Sequence, residues 1–218
     1  MQLAIFDLDH TLLPFDSDKS WNQFLIDQGV VSTKYYQEAN ERFYQDYLNA
    51  SLDIRAYQRF ACEILQKNGL ETVTLWRTEY IKKIVEPQIQ RKACECIANY
   101  KEKGFLTLII SATNTFILEP IALLHAVDAY LGCEFEVLNG KYTGELVGVP
   151  TYKAGKVKAL ESWLKKKQIS PTAIHFFSDS INDRALLEHA DQSFVVNPDK
   201  SLAQLADQAK WPTINFSD

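Results

Sequence analysis

The chain has 218 residues, 46% of them apolar and 23% charged, which suits an ordinary globular protein with one main core and room for an insertion. A net charge of −5 without a long basic run excludes the electrostatic footprint of a nucleic-acid or anionic-membrane binder. No apolar run reaches the roughly 18 residues of a transmembrane helix, and the acidic start lacks a signal-peptide pattern, so a cytoplasmic protein is expected.

Residues 3–6 predict a short buried strand that runs straight into Asp7-Leu8-Asp9-His10-Thr11. Two carboxylates at that point are costly unless chemistry or a cation uses them. From Phe15 to Pro87 the chain turns rich in aromatic and charged residues at helical spacing. Helices are expected over 18–28, 33–48, 54–67 and 72–85, with no strand, and with Asp18, Ser32, Asp53 and Thr72 as candidate N-caps. So long a connection between successive strands predicts an inserted helical domain, 15–87, within a core made of 1–14 and 88–218.

A helix over 92–103, stopped by Gly104, leads to a strand over 105–110 that ends at Ser111-Ala112-Thr113-Asn114. After a helix over 116–126, Asn139-Gly140 between alternating residues predicts a hairpin over 134–146. Then come a helix over 155–167, a strand over 173–177 and the polar run Ser178-Asp179-Ser180-Ile181-Asn182-Asp183. A helix over 183–190, a strand over 193–196, a helix over 201–209 and a short strand near 213–216 complete the chain. This alternation predicts an α/β fold, a Rossmann-like parallel sheet with helices on both faces. Cys62, Cys94, Cys96 and Cys133, and His10, His125, His175 and His189, lack metal-site spacing and are expected to be reduced thiols and packing residues.

In an open α/β sheet, ligands bind beyond the carboxyl ends of the parallel strands. That rule gathers Asp7, Asp9, Ser111, Asp179 and Asp183 at one edge. Carboxylates so gathered repel one another, and Mg²⁺, a hard cation that also binds phosphate, resolves the conflict. Lys153 and Lys156 share a helical face, and both are candidates for the accompanying lysine. Taken singly, Asp9 and Asp183 read equally well as helix caps, and Ser111 and Thr113 as turn residues. Their coincidence at several strand ends favours the functional reading.

Asp7-Leu8-Asp9-His10-Thr11 resembles the first motif of the haloacid dehalogenase superfamily, D-x-D-x-T. Ser111 matches the second motif, Lys156 in Lys153-Ala154-Gly155-Lys156-Val157 the third, and Asp179-Ser180-Ile181-Asn182-Asp183 the fourth. The insertion after the first motif resembles the helical cap of the phosphoserine-phosphatase-like subgroup. Gly155-Lys156-Val157-Lys158 and the last motif resemble a histidinol-phosphatase-like branch of it. The resemblance implies that Asp7 is the nucleophile of an aspartyl-phosphate and Asp9 the general acid and base. Ser111, the backbone around Ala112 and Thr113, and Lys156 would hold the phosphoryl oxygens. Asp7, the Asp9 carbonyl, Asp179 and Asp183 would hold Mg²⁺, and Asn182 would orient the site. His10 is expected to be a spacer and Thr11 to support the loop.

Substrate choice is expected to lie in the cap. Asp16 stands nine residues after the nucleophile, where phosphoserine phosphatases carry an acidic residue for the substrate amine. Asp18 is a further candidate for a cationic group, and Arg55 and Arg59 for a carboxylate. Among Trp21, Phe24, Tyr35, Phe43, Tyr44 and Tyr47, one or two should face the cleft. The expected activity is Mg²⁺-dependent hydrolysis of a small phosphorylated metabolite, histidinol phosphate or phosphoserine, with no nucleic-acid or membrane partner. A phosphomutase and a phospho-accepting signalling domain are the alternatives that use the same aspartate. Hinges for cap movement are expected near Pro14-Phe15 and Glu86-Pro87.

Overall fold

The computed structural model of the protein describes residues 1–217. Strand β1 (Gln2–Phe6) lies in the middle of a seven-stranded sheet. The others are β2 (Phe105–Asn114), β3 (Ala129–Leu138), β4 (Lys141–Val147), β5 (Ala173–Ser178), β6 (Gln192–Val196) and β7 (Thr213–Ile214), in the order β4-β3-β2-β1-β5-β6-β7. Neighbours pair in parallel except β3 and β4. Side chains alternate across the sheet. Ala4 and Phe6 therefore enter one core cluster, while Leu3 and Ile5 enter the other. All four are fully buried, as a central strand covered on both faces requires.

Helices α5 (Arg91–Glu102) and α6 (Thr115–Leu124) cover the Phe6 face through Ala93, Ile97, Ile117, Leu118 and Ile121. On the other face, α7 (Ala154–Lys167), α8 (Arg184–His189) and α9 (Lys200–Ala209) bury Leu160, Leu186, Leu187 and Leu202. Each such side chain removed from water contributes about 1.5–3 kcal/mol.

Between β1 and α5 lie α1 (Ser17–Asp27), α2 (Thr33–Leu48), α3 (Ile54–Lys67) and α4 (Leu70–Tyr80), which form the inserted cap. Asp53 caps α3 by accepting from the Arg55 and Ala56 N–H groups. The cap of α1 is Asp16, not Asp18: its Oδ1 accepts from the Lys19 N–H at 2.8 Å. Ser32 stands at the α2 N-cap without a side-chain bond, and α4 begins after Gly69, ahead of Thr72. The helix expected to run to Val85 changes pitch at Ile81 and becomes a π-helical turn over Ile81–Val85. A short tight turn over Glu86–Gln88 follows, because Pro87 cannot continue an α-helix.

Two differences from expectation reshape the sheet edge. β2 continues past Ile110 through a register shift to Asn114. Gly132 makes this approach feasible, since a Cβ there would lie 2.7 Å from the Thr113 carbonyl oxygen. The expected hairpin is only the outer half of a longer strand. β3 begins at Ala129 and pairs with β2 before its end folds back onto β4. Its first residues, Ala129-Tyr130-Leu131-Gly132, are too short and mixed a run to announce a strand. Cys62, Cys94, Cys96 and Cys133 are all reduced thiols. Among the described residues, no helix is long and apolar enough to cross a membrane.

Candidate active site

Three neighbouring strands, β2, β1 and β5, deliver the site. Asp7 is the first residue beyond β1, and its N–H still donates to Phe177 of β5 at 2.9 Å. The chain then curls, with the Leu8 carbonyl accepting from the N–H groups of Thr11, Leu12 and Leu13. His10 takes a left-handed φ of 57° within this curl. Asp9 is thereby returned towards β2, where its Oδ2 accepts from Thr113 Oγ1 at 2.7 Å and its Oδ1 from the Ser17 N–H at 2.8 Å. Ser111 Oγ accepts from the Thr113 N–H at 3.1 Å and donates to Thr113 Oγ1 at 3.0 Å, so the serine and Asp9 are tied through one threonine.

Lys156 joins the other two strand ends. Its Nζ donates to Asp7 Oδ1 at 2.8 Å and to Asp183 Oδ2 at 2.7 Å, and all three residues are buried. Gly155 sets its position: a Cβ there would lie 2.0 Å from the Pro150 carbonyl oxygen, so the first turn of α7 presses directly on the preceding loop. Lys153 lies outside the cavity and donates to the Ala50 carbonyl of the cap at 2.6 Å. Ser178 Oγ donates to Asp183 Oδ2, and Thr11 Oγ1 to Asp179 Oδ1 at 3.0 Å. Asn182 bridges to the cap by donating to the Tyr47 carbonyl and accepts from the Tyr152 hydroxyl.

Burial sets the electrostatics. It pushes the Asp9 carboxyl up to about 6, aided by repulsion from Asp16 and opposed by the bonds from Ser17 and Thr113. Burial also raises Asp7 against the pull of Lys156, and raises Asp183 to about 6. Asp179 is lifted well above the carboxylate range by burial and then by Asp7 and Asp183. Burial works against the Lys156 ammonium, yet Asp183 and Asp7 outweigh it and hold the proton firmly.

One ammonium does not balance Asp7, Asp179 and Asp183. The donors are hard carboxylate oxygens, the chemistry Mg²⁺ prefers. Among the described residues, no three Asp, Glu, His or Cys side chains form a self-sufficient metal cage. Mg²⁺ itself usually keeps several waters and takes one or two carboxylates plus substrate phosphate.

The cavity between core and cap is lined by Asp7, Asp9, Ser111, Ala112, Thr113, Lys156, Asn182 and Asp183 below, and by cap side chains above. Asp16, Asp18, Phe43, Tyr44, Tyr47 and Tyr57 form much of the upper wall, and His10, expected to be a spacer, lines it too. Trp21 and Phe24 instead pack in the core, and Tyr35 is exposed against Glu63. Arg55 and Arg59 are not in the cavity: both are exposed, and Arg59 pairs with Glu145 at 3.2 Å. Helix α3 turns them outward, while Tyr57 and Gln58 face the core. Gln58, fully buried, donates to the Ala112 carbonyl at 2.9 Å. Sequence reading missed Ser17, Tyr57, Gln58 and Asn114, because each has a partner 39 to 96 residues away, although Ser17 also donates to Asp9 eight residues before it.

A family model of haloacid dehalogenase-like hydrolases matches residues 4–188. A histidinol-phosphatase of Neisseria meningitidis serogroup C (strain 8013) is 36% identical over 98% of both chains. A probable phosphatase of Mycobacterium tuberculosis is 27% identical over 98% of this chain and 75% of its own. Among solved structures, a protein with unknown function from Bordetella pertussis Tohama I superposes with a TM-score of 0.93 at 29% identity, over 99% of this chain and 98% of its own. A substrate-bound phosphoserine phosphatase shares the fold, with a TM-score of 0.70 at 20% identity over 98% and 92%. The family match spans every strand end that builds the cavity floor, and the chain belongs to the haloacid dehalogenase-like hydrolases, as a phosphatase of that family.

Proposed function

We propose that the protein is a Mg²⁺-dependent phosphomonoester hydrolase for a small phosphorylated metabolite, with histidinol phosphate as its leading substrate, working through an aspartyl-phosphate on Asp7. The observation that carries this reading is the pairing of Asp7 with Lys156 beside an Asp9 held by Thr113 and the Ser17 N–H, its carboxyl pushed up to about 6 by burial. Lys156 draws a phosphate against Asp7, and Ser111 with the backbone of Ala112 and Thr113 completes the cradle. Asp7 attacks phosphorus while protonated Asp9 gives its proton to the departing alkoxide. The Asp9 carboxylate so formed then takes a proton from the water that hydrolyses the aspartyl-phosphate, which restores both residues. Asp7, the Asp9 carbonyl and Asp179 would hold Mg²⁺, with Asp183 in support. When bound, the ion supplies positive charge for the phosphoryl oxygens.

The upper wall supports the choice of leaving group. It offers Asp16, Asp18 and tyrosine rings, and its lysine, Lys19, is already taken up by the Tyr44 ring and by Glu41. That favours a cationic alcohol over phosphoserine, in keeping with the 36%-identical relative. The cap excludes water while closed and swings about hinges near Pro14-Phe15 and Glu86-Pro87 to exchange ligands.

The test is phosphate release, with Mg²⁺, from histidinol phosphate, phosphoserine and phosphoethanolamine. Histidinol phosphate should be hydrolysed fastest, and both Asp7→Asn and EDTA should abolish the release. Retention of turnover in Asp7→Asn would refute the nucleophile, and retention in EDTA would refute the metal.

A further inference from the structure

The cavity holds more negative charge than the phosphate chemistry uses. Asp7, Asp9, Asp16, Asp18 and Asp183 line it, against the ammonium groups of Lys19 and Lys156. Lys156 is committed to Asp7 and Asp183. Lys19 Nζ sits 3.5 Å from the centre of the Tyr44 ring and 3.9 Å from Glu41. A phosphate dianion arriving with Mg²⁺ brings no net positive charge. His10 and Lys19 act on Asp16, while burial and the neighbouring Asp16 and Asp9 hold the Asp18 carboxyl well above the usual carboxylate range, so its ionised form awaits a cation.

The two upper carboxylates differ in what they do for the fold. Asp16 is half-buried and spends one oxygen on capping α1. Asp18 is only 4% exposed and caps nothing. Its Oδ1 accepts from Asn114 Nδ2 at 2.8 Å, and the Tyr57 hydroxyl interacts with it from α3. Asn114 is itself fixed, because its Oδ1 accepts from the Ile117 N–H as the N-cap of α6. It is also the last residue of β2, three beyond Ser111. Asp18 is thus held at a set position relative to the phosphate cradle, by neutral donors alone. A buried carboxylate in such surroundings is costly, and a cation placed against it removes much of the cost. The Phe43, Tyr44 and Tyr57 rings line the same cavity, and aromatic faces attract cations.

We propose that Asp18 is a specificity-determining residue that takes a protonated nitrogen, ammonium or imidazolium, of the leaving alcohol, with tyrosine rings as the walls of that subsite. The inference rests on the phosphatase reading, which places the phosphate end of the substrate on Asp7. Asp16 then remains for a second nitrogen, so an alcohol with two basic nitrogens satisfies both carboxylates.

Two measurements test it. The first is binding of histidinol, the alcohol without phosphate, by calorimetry. Asp18→Asn should weaken it roughly 30-fold, as loss of a charged hydrogen bond implies, and Asp18→Glu should recover part of the loss. Equal binding by wild type and Asp18→Asn, or a Glu variant as poor as the Asn variant, overturns the proposal. The second compares kcat/KM for histidinol phosphate with that for p-nitrophenyl phosphate, which has no cationic nitrogen. The ratio of the two should fall roughly 30-fold in Asp18→Asn, mainly through KM. A parallel loss on both substrates assigns Asp18 to cap packing and overturns the proposal. Histidinol binding that depends on Asp18 in a wild-type protein that hydrolyses neither ester would sustain the subsite and refute the phosphatase reading instead.

Discussion

Asp9 owes its properties to its neighbours. Two donors fix its oxygens, while burial and Asp16 lift its carboxyl to about 6. If it protonates the leaving group, Asp9→Asn should slow hydrolysis of alkyl phosphates by roughly 10²–10⁴-fold. The loss should be much smaller with p-nitrophenyl phosphate, whose phenolate departs without a proton. The raised value also predicts a stability effect in metal-free protein. Because the folded state binds this proton more tightly than the unfolded chain does, the associated stability is complete below about 4 and is lost as pH rises through about 6. Asp9→Asn should therefore stabilise the EDTA-treated protein by about 1 kcal/mol at pH 8, and the gain should vanish towards pH 4 in urea titrations. Gly155 makes a different prediction at the same scale. An added methyl would meet the Pro150 carbonyl, so Gly155→Ala should cost about 1–3 kcal/mol in the urea midpoint and lower turnover by displacing Lys156. The places of Asp7 and of the two candidate lysines, Lys153 and Lys156, were legible in the sequence because they stand at the end of a strand and the start of a helix. The division of labour between Asp16 and Asp18 was not, because either fits the same local pattern and only Asn114, far along the chain, fixes Asp18 on the wall of the cavity that both line.

Among the elements, the closed cap is fastened at several points. Asn182 and Ser180 meet the end of α2 at Tyr47, Gln58 of α3 meets Ala112, and Lys153 reaches the Ala50 carbonyl. Both partners in the last bond have a positive φ, 51° at Lys153 and 53° at Ala50, a conformation that costs a side-chain-bearing residue of order 1 kcal/mol or more. Such backbone persists where surrounding contacts hold it in place. Lys153→Ala should remove a bond worth about 1 kcal/mol to the closed state and speed amide exchange in the turn between α2 and α3 roughly fivefold, while β1 remains protected. The helices of the insertion could be read from their aromatic periodicity, but their contacts to the core could not. The inner half of β3 escaped notice for a related reason: Ala129 to Gly132 become a strand only because β2 offers an edge for them to join.

Across the whole molecule, the alternation of strands and helices was enough to foresee a parallel sheet with its chemistry at the carboxyl edge. That follows from chain connectivity, which a sequence carries directly. Which groups close over that edge depends on how the insertion folds back, and local patterns are silent on this. The placement of β1 has a further result. It is hydrogen-bonded along both edges to β2 and β5, and its Leu3 to Phe6 side chains have no solvent exposure. The outer part of the insertion relies on a small cluster of its own, Ile26, Tyr36, Ala39, Phe43 and Phe60. Openings of a folded chain begin where the least apolar surface must be uncovered. The least costly excursion of this protein therefore lifts the outer part of the insertion and leaves β1, with Asp7 at its end, untouched, so thermal fluctuation can uncover the cavity without disturbing its floor.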